Sequence, residues 1–517
     1  MYLLGFDVGS SSIKATVLDA EKGIALAAKT SPEVEMEIIA GQPGWAEQHP
    51  HVWWEHVKNA TAYILHDSGI DPGDIGAIGI SYQMHGLVIV DKNQKVLRPS
   101  IIWCDSRAVE IGERAFAEIG PENCLGCLLN SPGNFTASKL KWVMENEPDI
   151  YGRIHKAMLP GEFIAMKMTG EIKTTPSGLS EAILWDYKRQ GAANIVLDYY
   201  GISSELIPEV VPTFSIQGAL TGKAANELGL KAGTPVSYRA GDQPNNALSL
   251  NVLNPGEVAA TAGTSGVVYG VTDQAGFDPE SRVNTFVHVN HTKDNPRYGV
   301  LLCINGTGIL NRWIRNTIMK LGQAVMTYEQ MNELALKAPV GAEGLAVLPY
   351  GNGAERTLGN RDIGASFHGL KFNTHNRRHF LRAAQEGIVF ALNYGLGIAR
   401  EMGVRVTTVR AGHTNMFLSE LFREAFAAVT EATVELYNTD GSQGAARGAG
   451  IGVGLYKDFP EAFTGLSTTR IIEPKKELVP LYREEYHRWL DILEHTLRSE
   501  KSPRGRDTGL PRSPRIS

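Results

Sequence analysis

Two acids stand where apolar runs end in glycine-containing corners. Asp242 lies in Arg239-Ala-Gly-Asp-Gln-Pro-Asn-Asn246, after a stretch that reads as a strand and before one that reads as a helix. An Asp in that place can cap the helix, because its oxygens accept from the first orphan N–H groups. It can equally serve as a general base. Phosphoryl transfer asks little covalent work of a protein, but the attacking hydroxyl must be oriented and must lose its proton. Asp7 follows the apolar run Leu3-Leu-Gly-Phe6 and precedes a turn of Gly9, Ser10, Ser11 and Ser12. An acid beside such a run asks for a partner: either Mg2+ held near phosphate oxygens or a structural Asp turn explains it.

The first turn has a counterpart. Asp7-Val-Gly-Ser-Ser-Ser12 aligns without a gap with Thr261-Ala-Gly-Thr-Ser-Gly266, so Gly263, Thr264 and Ser265 repeat the pattern of small and hydroxyl residues. Glycine permits close backbone approach, and successive N–H groups with hydroxyls can surround phosphate oxygens. Two such turns suggest a polyphosphate gripped between duplicated halves. A further mixture suits a sugar: Gln83-Met-His-Gly86 and Trp103-Cys-Asp-Ser-Arg107 combine flat apolar faces with amide, imidazole, carboxylate and guanidinium groups. Core packing with a salt bridge is the alternative for each cluster.

The elements around these residues alternate. Tyr2-Leu-Leu-Gly-Phe-Asp-Val-Gly9 and Ile13-Lys-Ala-Thr-Val-Leu-Asp19 predict a hairpin, and the same plan returns from residue 256. Residues 74–91 predict strand, turn and strand; 134–146 predict a helix with an Asn or Thr start; 233–251 predict a strand, a Gly-Asp corner and a helix. In the second half, 301–321 repeat strand, glycine corner and helix, 380–403 show helical spacing, and 406–429 give strand, corner and helix again. Mixed α/β layers in both halves follow. Neither G-x-x-x-x-G-K-[ST] nor a strand leading into G-x-G-x-x-G occurs, so phosphate binding needs another architecture.

In this order and spacing, Phe6-Asp-Val-Gly-Ser-Ser-Ser12, Gln83-Met-His-Gly86, Ile102-Trp-Cys-Asp-Ser-Arg107, Leu159-Pro-Gly-Glu-Phe163, Met168-Thr-Gly-Glu171, Gly241-Asp-Gln243, Thr261-Ala-Gly-Thr-Ser265 and Gly444-Ala-Ala-Arg-Gly448 resemble the FGGY family of carbohydrate kinases over residues 1–455. The resemblance implies an α/β fold of two actin-like, ribonuclease H-like ATPase domains with a cleft between them. The expected division is 1–250 for the sugar site, first phosphate loop and base, and 251–499 for the second loop and adenosine site, with 500–517 a disordered basic tail. It implies ATP and Mg2+ as cofactors, Asp242 as catalytic base and Asp7 as the N-terminal acid and metal ligand. Met84 and His85 become sugar contacts, with Trp103, Arg107 and Gln243 as further candidates. Gly9, Ser10, Ser11, Ser12, Lys14, Gly263, Thr264, Ser265 and Gly306 fall to ATP phosphates, and Gly412, Asn415 and a 444–448 turn to adenosine. The Gln-Met-His-Gly turn resembles that of the xylulokinases most closely, implying D-xylulose as substrate; gluconate, ribulose or a polyol are the rivals. An actin- or chaperone-like ATPase is the rival of another class, and it would call for a client domain or a filament surface. The chain departs from the family pattern at Gln243, where Asn commonly follows the base, at Arg410-Ala-Gly412 in place of a glycine-rich run, and at Cys104.

Composition bounds the rest. A chain of 517 residues favours two large domains, and 43% hydrophobic with 21% charged residues is ordinary globular composition. A net charge of -6 argues against a nucleic-acid surface over the main body. No apolar run approaches a membrane span, and four cysteines make no disulfide framework, so a cytoplasmic protein is expected. Cys124-Leu-Gly-Cys127 lacks a second pair for a zinc site, and His368, His375 and His379 lack a companion ligand in sequence. A homodimer is one expectation for assembly.

Overall fold

The computed structural model describes residues 1–320 and 324–499. The tail expected at 500–517 lies outside the described residues. Each half of the chain builds one sheet on the same plan. In the first, strand Tyr2–Val8 pairs antiparallel with Ile13–Asp19, which pairs antiparallel with Ala25–Ser31. On its other side Tyr2–Val8 runs parallel to Ile75–Tyr82, which runs parallel to Pro235–Gly241, and Phe214–Ala219 closes the edge antiparallel. In the second sheet, Glu257–Ala262 has Gly266–Thr272 and then Tyr298–Ile304 as antiparallel neighbours. Thr408–Gly412 and Thr433–Tyr437 follow in parallel, and Thr468–Ile472 closes that edge. The repeated hairpin is thus the start of a repeated sheet.

Helices cover both faces of the central strands, which is why Leu3, Leu4, Phe6 and Val8 are all fully buried although they alternate across the sheet. On the second sheet, helix Arg377–Glu401 supplies a long buried stripe that includes Leu381, Ile388 and Leu392. On the first, the covering helix is Gly441–Gly452, which comes from late in the chain. A Cβ on Gly5 would fall 1.9 Å from the Ser442 carbonyl oxygen, and one on Gly79 1.9 Å from that of Ala445, so these two strands accept the helix only because they are bare there. The 444–448 turn expected at the adenosine site is therefore corrected: those residues are buried helix. Their small side chains let the helix lie flat on the sheet of the first half.

Two elements tie the halves together. Helix Asp242–Ser249 packs against Gly441–Gly452 and against both strands of the second hairpin. Strand Asn284–Val287 inserts toward the first half, where Thr285 exchanges hydrogen bonds with the Asn130 side chain and Val287 N–H donates to Ser180 Oγ at 2.9 Å. No helix among the described residues is long and apolar enough to cross a membrane.

Candidate active site

The carboxyl ends of three adjacent parallel strands come together at one edge. Register pairs Val8 and Gly241 with Tyr82, so the Gly9–Ser12 turn, the Gln83–Gly86 turn and Asp242 are neighbours there. Asp242 is the first residue of its helix, and Gly241 occupies the cap position with no side-chain cap bond. The capping role open to Asp242 from sequence is thus not what holds it. Its Oδ1 is buried without a partner, and Gln243 lies beside the carboxyl. Burial, and then the charge of Asp7, push its carboxyl up to about 7. A base poised near neutrality is matched to proton transfer at physiological pH.

Asp7 accepts a hydrogen bond from Ser81 Oγ at 2.9 Å. Its hairpin partner Lys14 directs Nζ to Asp440 Oδ2 at 2.7 Å instead. Burial raises the Asp7 carboxyl, the Ser81 bond lowers it, and the Asp440 charge raises it again. A Cβ on Gly441 would sit 2.4 Å from Asp7 Oδ2, so only glycine lets that helix start so close to the acid. Asp440, absent from the residues expected from sequence, caps this helix by accepting from the N–H groups of Ser442 and Gln443. Asp7 fits Mg2+: it is a carboxylate with no direct cationic partner beside the Gly9–Ser12 turn, and Mg2+ is commonly held by one or two carboxylates together with substrate phosphates. Among the described residues no group of three or more His, Cys, Asp or Glu could hold a metal by itself.

The first turn is closed by Gly9 N–H donating to Ser12 O at 3.0 Å. Ser10 is held from two sides, its carbonyl by Gln48 Nε2 at 2.7 Å and its hydroxyl by Trp103 Nε1 at 3.2 Å. Ser11 and Ser12 complete the turn, Ser11 at its exposed tip. In the second turn, Gly263 and Thr264 carbonyls accept from the N–H groups of Gly308 and Ile309, at the start of helix Gly308–Thr317. Ser265 lies beside the Cys303 thiol. Gly306 is packed against backbone: a Cβ there would fall 1.5 Å from Pro349 O. Glu355, unremarked in the sequence, accepts from Asn305 N–H at 2.9 Å and so anchors the loop that carries Gly306.

Beside the second turn opens a cavity of 780 Å³, within the range that encloses small ligands. Gly263, Thr264 and Asn415 line it. Gly412 ends its strand just behind and is not among the lining residues. The facing wall, formed by Asn311, Arg312, Tyr328, Asn332 and Leu336, escaped the sequence reading. The available signal was the polar stripe of the helix that follows the glycine corner.

Of the sugar candidates, Met84 packs against Gly241. A Cβ on that glycine would meet Met84 Cγ at 2.6 Å and Glu181 Oε1 at 3.0 Å. His85 sits at φ 62°, in the left-handed region, with its N–H donating to Glu181 Oε2 at 3.1 Å. Its Nδ1 is 2.9 Å from the Glu181 carbonyl oxygen, which only accepts, so Nδ1 carries the proton and Nε2 is left as an acceptor. Burial, with Lys139 nearby, drives the imidazole down to about 3, and it is neutral. Glu181 is itself almost fully buried and was missed from sequence; burial raises its carboxyl well above the usual range. Gln243 follows Asp242, half-buried, in the first turn of the helix. Trp103 is 54% exposed. Arg107, a further sugar candidate whose alternative was core packing with a salt bridge, has its guanidinium buried among carboxylates. It forks onto Asp105 through Nε and Nη2, at 2.9 and 2.7 Å, reaches Glu47 Oε1 with Nη1 at 2.7 Å, and lies 3.8 Å from the Trp45 ring centroid.

Residues 2–249 match the N-terminal domain of the FGGY family of carbohydrate kinases. The chain is 30% identical over 503 residues to a xylulose kinase of Bacillus subtilis (strain 168), covering 96% of this chain and 97% of the relative. It is 28% identical over 498 residues to an L-xylulose/3-keto-L-gulonate kinase of Escherichia coli (strain K12), covering 95% and 96%. A crystal structure of a xyloylose kinase from Brucella ovis superposes with a TM-score of 0.86 at 26% identity, covering 96% of this chain and 99% of that one.

Proposed function

The chain belongs to the FGGY family of carbohydrate kinases, a family of sugar phosphotransferases, and on that premise we propose that it transfers the γ-phosphoryl group of ATP to the 5-hydroxyl of D-xylulose. The observation that carries the mechanism is Asp242, whose unpartnered Oδ1 stands at the strand edge shared by the first phosphate turn and the Gln83–Gly86 turn. The sugar lies against Met84 and His85, whose Nε2 accepts a hydrogen bond from a sugar hydroxyl, with Trp103 and Gln243 at its margins. Asp242, ionised, takes the proton of the attacking hydroxyl as the O–P bond forms and the bond from phosphorus to the ADP oxygen breaks. N–H groups and hydroxyls of Gly9–Ser12 and Gly263–Ser265, with Lys14 beside them, hold the phosphates. Adenosine occupies the cavity lined by Asn415, with Gly412 behind it. Asp7, together with the nucleotide phosphates, would hold Mg2+, which would supply neutralisation of the phosphate charge. Approach of the two halves excludes water that would otherwise compete for the phosphoryl group.

D-xylulose is favoured by the Gln-Met-His-Gly turn and by relatives named xylulose kinase across nearly the whole chain. The four free cysteines accord with a reducing, cytoplasmic compartment. ADP release measured over a panel of D-xylulose, L-xylulose, ribulose, gluconate and glycerol tests the assignment. D-xylulose should give the highest kcat/KM; a higher value for any other member replaces it as substrate.

A further inference from the structure

Lys139 lies in helix Thr136–Asn146 and is fully buried. A buried ammonium is costly unless its protons are taken up, and a structure that keeps one has a use for its hydrogen bonds. Here Nζ donates to His85 O at 2.8 Å and to Ile102 O at 3.0 Å. These carbonyls come from segments 17 residues apart in the chain, numbered 85 and 102; the first lies within one of the two clusters of sugar candidates and the second adjoins the other. His85 is the left-handed residue of the first; Ile102 immediately precedes Trp103 in the second.

A non-glycine residue in the left-handed region persists only when its surroundings over-determine it. At His85 they do, from both ends of the residue. Glu181 Oε2 accepts from the N–H at 3.1 Å while Lys139 holds the carbonyl. The charged groups that face Lys139 are Asp105, Arg107 and Glu181, with the Cys104 thiol. Asp105 is already forked by Arg107 and also accepts from Ala46 N–H at 2.6 Å, leaving the ammonium to the two carbonyls.

We propose that Lys139 is a positioning residue for the sugar: its ammonium ties the Gln83–Gly86 turn to the segment carrying Trp103 and so sets the gap that the sugar enters. The inference rests on the proposed sugar site at Met84 and His85. Lys139 touches no reacting atom; it acts through the orientation of His85 and the placing of Trp103.

Steady-state kinetics of Lys139→Met and His85→Asn with D-xylulose and ATP, alongside thermal melts, test it. Methionine keeps the length and apolar stem but donates nothing, and Asn tolerates the left-handed backbone. Lys139→Met should raise the D-xylulose KM about tenfold while the ATP KM stays within about twofold, the mark of a lost sugar-side contact. If Lys139→Met does not fold, Lys139→Gln, which keeps two N–H donors, carries the same comparison with a smaller rise. A lowered melting temperature with both KM values unchanged overturns the inference, because it leaves Lys139 a purely structural part. If His85→Asn also leaves the D-xylulose KM unchanged, the sugar site itself has been misplaced and the inference falls with it.

Discussion

Trp103 Nε1 donates to Ser10 Oγ at 3.2 Å, which joins the segment expected at the sugar to the first phosphate turn. The indole is 54% exposed, while Trp53, Trp54, Trp185 and Trp489 are buried. Trp313, 48% exposed, is the other open indole with a cavity nearby, in the helix that borders the 780 Å³ cavity beside the second turn. D-xylulose added without nucleotide should therefore change tryptophan emission through Trp103. A fluorescence titration should show the change in wild type and in Trp313→Phe and lose it in Trp103→Phe.

Asp242 predicts an acid limb in the rate. Its carboxyl is raised to about 7 by burial and by the Asp7 charge, and only the ionised form accepts a proton. Activity should fall as pH drops through about 7, with log kcat/KM declining at a slope of one. The pH profile of kcat/KM for the sugar checks this, and a limb near the ordinary carboxylate value would contradict it.

The same shift has a stability consequence of opposite sense. A carboxyl whose pKa rises on folding holds its proton more tightly in the native state between 3.8 and about 7, so stability falls as pH rises through that window and the full cost is present above it. Asp242→Asn removes that charge. After discounting for the partial exposure of the side chain, the variant should gain on the order of 2 kcal/mol at pH 8 and little at pH 4. Denaturant unfolding at the two pH values measures it.

Arg107 should matter to the fold before it matters to the sugar. Its guanidinium is buried between Asp105 and Glu47, so Arg107→Ala leaves buried carboxylates uncompensated and should cost about 3–5 kcal/mol. Arg107→Lys should recover little, since an ammonium cannot reproduce the fork onto Asp105. Chemical denaturation of both variants decides between this and a free sugar contact, for which both would remain as stable as wild type.

What the sequence made legible was what local chemistry writes. Strand, glycine corner, acid and helix are adjacent in the chain at 235–249, so Asp242 could be singled out, and the paired hairpins could be aligned because each is a short continuous device. Glu181 was invisible because it ends the short helix Pro176–Glu181, whose Pro-Ser-Gly-Leu-Ser-Glu composition resembles a surface turn; its carboxyl is enclosed by His85 and Gly241, which come from distant parts of the chain. Gly444 and Gly448 looked like turn glycines for a related reason. Their smallness answers to Ser249 and Tyr238, against which a Cβ would fall at 2.6 and 2.5 Å, and that contact is made only in the folded chain. Arg107 carried the right chemistry for a sugar, but Trp45 and Glu47, sixty residues earlier, had already enclosed it.

Rapid-quench turnover of Asp242→Ala, with D-xylulose and ATP binding measured separately by calorimetry, tests the central claim most directly. The account predicts sugar phosphorylation slowed by about 10²–10⁴-fold, with both ligands still bound within a few-fold of wild type. Turnover at the wild-type rate in that variant would show that another group receives the hydroxyl proton.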